Sequence, residues 1–279
     1  MPPPADGRIG TEGARTQRIL VTNDDGIMAP GLHALVLAST ALAANVMVVA
    51  PRHDESGCGA AIGPLRPGGS ESFEPVTLPG LEDVLAFRTD CTPALAVLST
   101  CLAGGENSPD IVLSGVNAGL NVGLAVLHSG TVGAALTAAN LGLPAIAVSL
   151  DAGRGPHWRT AAAVAVAAVR WLSANRLPVT LNINVPDVAL EELAGVRAAN
   201  LGRFARPQVV PSRARPLPDA DLDSDAALVR RRFATVTVLH GLREAGYETG
   251  AAAASYVETT LSDNFGLPSP LVGGPRLRT

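Results

Sequence analysis

Short apolar runs alternate along this chain with longer stretches of helical periodicity. Ile19, Leu20 and Val21 form the first run, within 18–22. The segments 45–49 (NVMVV), 111–116 (IVLSGV), 145–150 (AIAVSL) and 179–185 (VTLNINV) repeat the pattern, with a weaker run at 84–87. Continuous apolar runs ended by turn residues mark strands buried on both faces, as in a parallel sheet. Helical spacing fills the gaps at 31–43, at 93–102 and at 158–172. The second of these opens on Thr92 and Pro93, with proline in the first turn. Residues 128–133 (HSGTVG) open a further small-residue helix that stops at Gly142 and Pro144. Strands alternating with helices predict a three-layer α/β sandwich with a mostly parallel sheet, over 18–190.

The run at 179–185 is expected to close that sheet. After Pro186 the pattern changes. Segments 195–199 and 234–239 alternate like strands of a smaller, partly antiparallel unit, so 191–279 reads as a C-terminal β/α extension. Between them, 203–225 is rich in Pro, Arg and Asp and reads as a long loop, of the kind that is usually functional or mobile. Residues 1–17 read as a disordered tail, 64–69 as irregular or hairpin structure, and 257–279 as a short helix with a flexible end.

Ligands of doubly wound sheets bind in loops at the carboxyl ends of the strands. The loop after the first strand is Asn23, Asp24, Asp25 and Gly26. Two adjacent carboxylates repel each other and any anion. They become useful when a divalent cation sits between them and the ligand. The loop after the second strand holds Ser56, and SGVNAGLN, after a later strand, holds Asn117. Convergence of Asp24, Asp25, Ser56 and Asn117 makes an oxygen-only site, suited to Mg²⁺ or Mn²⁺ rather than zinc. Taken singly, Asp25 also reads as a cap or turn residue, Ser56 as a loop serine and Asn117 as an Asx-turn. Ser129, Gly130 and Thr131 stand at a helix start, where free N–H groups and the dipole suit a phosphate; an ordinary Ser or Thr cap is the other reading.

Composition narrows the classes. With 47% hydrophobic and 16% charged residues, the 279-residue chain can bury a large core. A net charge of −4 leaves no basic footprint for a nucleic acid polymer. All 21 basic residues are arginine. That excludes Schiff-base and P-loop lysine chemistry. No apolar run approaches membrane-spanning length, and the N-terminal stretch lacks the apolar core of a secretory signal. Three scattered cysteines, Cys58, Cys91 and Cys101, fit a reducing compartment, so a cytoplasmic location is expected.

NDDGIMAPG, VVAPRHDESG, PDIVLSGVNAGLNVG with HSGTVGAA, and LNINVPD occur in this order over 18–205. Together they resemble the SurE family of 5′/3′-nucleotidases. The resemblance implies a Rossmann-like core and a metal-dependent phosphatase acting on nucleoside monophosphates. It implies one divalent cation per subunit on Asp24, Asp25, Ser56 and Asn117, and substrate contacts from Asn23, Asn121, Ser129, Gly130 and Thr131. It further implies a homodimer or homotetramer whose C-terminal arms exchange. Asp24 or Asp25 is then the candidate base and His128 the candidate acid, a structural histidine being the alternative. The chain departs from the family at Leu124 and Ala125, where polar or acidic residues are usual, at Leu95, where aspartate is usual, and in TVTVLHGL, where Val-Thr-Pro-Leu is usual. A dedicated phosphatase for a modified nucleotide in a nucleoside natural-product pathway is therefore the alternative. A non-catalytic nucleotide-binding protein is a further one, opposed by the intact ligand set. Haloacid-dehalogenase and receiver-domain readings both want a lysine, and a dinucleotide-binding dehydrogenase wants a G-x-G-x-x-G that is missing.

Overall fold

The computed structural model describes residues 17–42, 45–63, 72–105, 108–153, 155–202 and 222–241. The strands are β1 (Arg18–Thr22), β2 (Asn45–Pro51), β3 (Phe73–Pro75), β4 (Leu85–Thr89), β5 (Ile111–Ala118), β6 (Ala145–Leu150), β7 (Thr180–Val185), β8 (Gly195–Ala198) and β9 (Phe233–Leu239). They form one sheet in the order β3-β4-β2-β1-β5-β6-β7-β9-β8. From β4 to β7 every neighbouring pair is parallel. The chain leaves β1 in one direction through β2 and β4, then returns to β5 and runs the other way. The switch therefore falls between β1 and β5, and the crevice at their carboxyl ends is where such sheets bind ligands.

The helices are α1 (Pro30–Thr40), α2 (Pro93–Leu102), α3 (Gly130–Asn140), α4 (Trp158–Asn175) and α5 (Asp225–Arg230). Side chains of β1 alternate between the two sheet faces. Ile19 and Val21 join the cluster under α1 and α4; Leu20 joins the cluster under α2 and α3. Three layers result, as the alternation of strands and helices predicts. Thr92 Oγ1 accepts from Leu95 N–H to start α2, and Ser129 Oγ accepts from Val132 N–H to start α3. No helix among the described residues is long and apolar enough to cross a membrane.

The sheet does not end at β7. Strand β9 pairs antiparallel with β7, from Thr180↔Leu239 to Asn184↔Thr235, and β8 pairs parallel with β9. The reason is physical: β7 is buried along its whole length, so its outer edge needs a partner. Both strands extend the main sheet, β9 lying between β7 and the largely exposed edge strand β8. The described residues belong to a unit that runs to Gly241. Two short elements are also new. Residues Gly123–His128 form a 3₁₀ turn, and Ser224 caps α5 inside the segment read as loop. The N-terminal tail to residue 16, the segment 64–69, most of 203–225 and the end from 257 lie outside the described residues.

Two local features aim β5 at the crevice. Its register against β6 shifts between Ser114 and Asn117, a bulge of the kind that redirects a side chain near a site. Its backbone also meets α1 so closely that a Cβ on Gly31 would lie 2.0 Å from the Val116 carbonyl oxygen. Neither partner is a flexible side chain, so Gly31→Ala forces helix and strand apart. We expect it to lower stability by about 1–3 kcal/mol, the usual range for overpacking, read as a shifted denaturant midpoint. An unchanged midpoint would show that the contact yields.

Candidate functional site

Loops after β1, β2 and β5 meet at the switch point. In the first, Asn23 is fully buried and its Nδ2 donates to the Gly26 carbonyl at 3.0 Å, closing the turn. Its Oδ1 is buried without a hydrogen-bond partner among the described residues. The Asp24 carbonyl accepts from Glu55 N–H at 2.7 Å, which docks the loop carrying Ser56 onto the loop carrying the carboxylates. Ser56 itself is exposed, with its amide on Asp54 Oδ1 at 2.8 Å.

The Asp24 side chain, 3% exposed, reaches the start of α3, where the Thr131 hydroxyl donates to its Oδ1. The same hydroxyl oxygen lies 3.2 Å from Asn117 Oδ1. Asn117 Nδ2 donates to the Gly119 carbonyl at 2.7 Å, which fixes the amide with its oxygen toward Thr131. Asp25 is half-buried and accepts from Ala118 N–H at 3.2 Å. A Cβ on Gly130 would lie 2.7 Å from Asp24 Oδ2 and 2.8 Å from Cys58 Sγ, so only glycine permits this approach. The positive end of α3 thus abuts a buried carboxylate.

Acceptors outnumber donors here. A hydroxyl carries one proton, yet Thr131 faces two acceptor oxygens, with Asn23 Oδ1 unserved nearby in the chain. Among the described residues no cation pairs with either carboxylate. Burial, and then the charge of Asp24, pushes Asp25 up to about 6. Burial raises Asp24 as well, against the opposing pull of Thr131. Cys58 is pushed up to about 11 by burial and by the Asp24 and Glu55 charges, which keeps the thiol protonated and unreactive.

The other expected residues are placed differently. The Ser129 hydroxyl serves Val132 N–H as an ordinary cap at 3.1 Å. His128 is exposed at the end of the 3₁₀ turn, its carbonyl accepting from Gly59 N–H at 3.2 Å. Asn121 anchors its loop to the sheet. It gives its amide to Ser149 Oγ at 2.8 Å and its N–H to Asn184 Oδ1 at 2.8 Å, and its carbonyl takes the amides of Asn182 and Asn184 at 2.9 Å each. These partners escaped the sequence reading. The signal was present in VTLNINV, where two asparagines alternate in an otherwise apolar buried strand, since buried amides need partners. Among the described residues no group of three or more His, Cys, Asp or Glu could hold a metal. The set Asp24, Asp25, Ser56 and Asn117 contains only two residues of those types.

A doubly wound α/β sheet with paired carboxylates at its switch point defines a Rossmann-like protein with an oxygen-rich ligand site. The chain belongs to the SurE family: the family model described as survival protein SurE matches residues 19–207. A relative from Alkalilimnicola ehrlichii, named 5′-nucleotidase SurE, is 46% identical over 197 residues, covering 69% of this chain and 72% of its own. One from Cronobacter sakazakii, named 5′/3′-nucleotidase SurE, is 38% identical over 243 residues, covering 80% and 90%. The crystal structure of the SurE protein from Aquifex aeolicus superposes with a TM-score of 0.69 at 28% identity, over 86% of this chain and 99% of that one. The family and the fold expected from the motifs are both borne out.

The raised Asp25 has a consequence for the metal-free protein. Its folded-state pKa of about 6 exceeds the ordinary carboxylate value, so the folded state binds this proton more tightly than the unfolded chain. Its penalty is full above that value and fades as pH falls toward the unfolded value. In EDTA, Asp25→Asn should therefore raise the melting temperature more at about pH 7.5 than at about pH 5. An equal effect at both would contradict the electrostatic reading.

Proposed function

We propose that this chain is a metal-dependent phosphomonoesterase that converts nucleoside 5′- and 3′-monophosphates to nucleoside and phosphate. Family membership and the relatives' names support the nucleotide. The single observation that carries the chemistry is the adjacent pair of Asp24, buried, and Asp25, half-buried, with no cationic side chain paired to either among the described residues. Asp24, Asp25, Ser56 and Asn117 would hold one Mg²⁺ or Mn²⁺ per subunit, and the surplus of oxygen acceptors fits such an ion. When bound, a divalent ion supplies charge neutralisation at phosphate and a lowered pKa for water.

The chain's own groups account for the rest. Thr131 orients Asp24 and Asn117 together. The first turn of α3, from Ser129 through Gly130 and Thr131, presents its positive end to the phosphate. Asp24 or Asp25 accepts the proton of the attacking water, and the exposed His128 protonates the leaving oxygen. Asn23 shapes the turn, and Asn121 anchors the loop after β5 to the sheet. We place the protein in the cytoplasm as a homodimer or homotetramer, on the family resemblance; its C-terminal arm lies outside the described residues.

A narrower reading, a phosphatase dedicated to a modified nucleotide, rests on a specific observation. Leu124 and Leu127 are 63% and 75% exposed on the turn that runs into Ser129. Residues three apart eclipse each other in a 3₁₀ turn, so the two make one apolar ridge beside the site.

Phosphate release from a nucleotide panel tests the main reading. Release should require Mn²⁺ or Mg²⁺, stop in EDTA and fall by about 10³-fold or more in Asp25→Ala, equivalent to several kcal/mol of transition-state stabilisation. Release that persists in EDTA would end the metal reading, and turnover of unmodified 5′-AMP and 5′-GMP as fast as any modified nucleotide would end the narrower one. His128→Ala should lower kcat for 5′-AMP by about 10²-fold, within the range for a general acid. With p-nitrophenyl phosphate, whose leaving group needs no proton, kcat should hold; an equal loss on both substrates would remove His128 from the acid role.

A further inference from the structure

Asp225 is fully buried, yet its carboxylate contacts no substrate-side group and has no cationic partner among the described residues. Its Oδ1 accepts from Gly202 N–H at 3.0 Å and from Ala226 N–H at 2.8 Å. Its Oδ2 accepts from Gly123 N–H at 2.7 Å, across a separation of 102 residues. Burying an ionisable acid is expensive unless every lone pair in use is answered. Capping α5 does not require it, because Ser224 Oγ already accepts from Ala227 N–H at 3.3 Å. What a carboxylate adds is a second oxygen, and that oxygen holds Gly123.

Gly123 opens the 3₁₀ turn that ends at His128 and delivers Ser129, Gly130 and Thr131 to Asp24. On its other side the chain is pinned at Asn121 and at Asn117. The turn therefore has two fixed ends, and Asp225 is the tie at the first residue of its span. We propose that Asp225 is a positioning residue for the phosphate end of the site, acting through the Gly123 amide. The proposal rests on the phosphomonoesterase reading above. Asn in its place offers one acceptor oxygen instead of two, so at least one of the three buried N–H groups loses its partner. The turn then drifts relative to Asp24, and misplacement of this kind is read in kcat rather than in KM.

The test compares three variants, each assayed well below its own melting temperature. Asp225→Asn should lower kcat for metal-activated hydrolysis of 5′-AMP by about 10- to 100-fold with little change in KM. Ser224→Ala, which weakens α5 without touching Gly123, should lower the melting temperature and leave kcat within about twofold. Gly202→Ala places a Cβ 3.3 Å from Asp225 Oδ1 and displaces the carboxylate by a few tenths of an ångström without removing a bond. It should lower kcat by about threefold or more, and it decides the matter if Asp225→Asn does not fold. A folded Asp225→Asn with the kcat of Ser224→Ala, or a Gly202→Ala with unchanged kcat, would overturn the positioning role. A wild-type protein inactive on every phosphomonoester would overturn the underlying reading together with it.

Discussion

The Thr131 hydroxyl lies between Asp24 Oδ1 and Asn117 Oδ1, so three chain segments meet at one proton. One acceptor follows β1, another sits at the end of β5, and the donor belongs to the first turn of α3. Each is buried, so no water competes for the bond, and a network of this kind rigidifies what it joins. The tie also explains the absence of a side chain at Gly130. With a Cβ there the helix start would strike the Asp24 carboxylate, and the hydroxyl one residue later would lose its reach. The same geometry leaves the site with more acceptors than donors and with two carboxylates that disfavour each other's charge. The helix dipole offsets only a fraction of that, about half an elementary charge at an N-terminus.

The sheet makes the meeting possible. The strand order brings the ends of β1 and β5 side by side, although the chain passes through β2 and β4 between them: Ala118 N–H reaches Asp25 across a separation of 93. The bulge in β5 turns Asn117 toward Thr131, and the close seat of Gly31 on Val116 keeps α1 from lifting that strand. Support continues outward. Asn121 hangs on Asn182 and Asn184 of β7, and β9 closes the edge of β7. The C-terminal strands thus support, by way of β7, the loop that carries Asn121.

Much of this was legible in the sequence because its causes are local. An apolar run followed at once by Asn23, Asp24 and Asp25 gives both a buried strand and its polar end. Ser129 before a run of small residues gives the helix start. What was not legible depends on distant partners. Asp225 falls at the end of a segment that reads as a loop, because its meaning lies with Gly123, far away in the chain. The sheet partners of Asn121 were not legible either, since no local pattern names the distant hydroxyl and amide groups that hold a loop asparagine. Strand β9 reads as part of a separate unit because its alternation reports a partly exposed face, and a strand near the end of a single sheet, beside the edge strand β8, has one too.

The three departures from the family pattern can be sorted by where they fall. Leu95 is 6% exposed in the first turn of α2, packed in the interior with its N–H on Thr92, so the missing carboxylate there changes the core rather than a ligand surface. In TVTVL, Val238 stands where proline is usual; it pairs with Leu181 in the β7–β9 ladder and is half exposed. Leu95 is answered inside the protein. Leu124 is not: it faces solvent on the one turn that leads directly into Ser129. On the proposed reading, an apolar side chain at that place changes the surface offered to the alcohol half of a phosphate ester while leaving Asp24, Asp25 and Asn117 as they are. On the proposed phosphomonoesterase reading, bond cleavage rests on Asp24, Asp25 and Asn117, which keep the family pattern, while Leu124, which departs from it, bears on substrate choice.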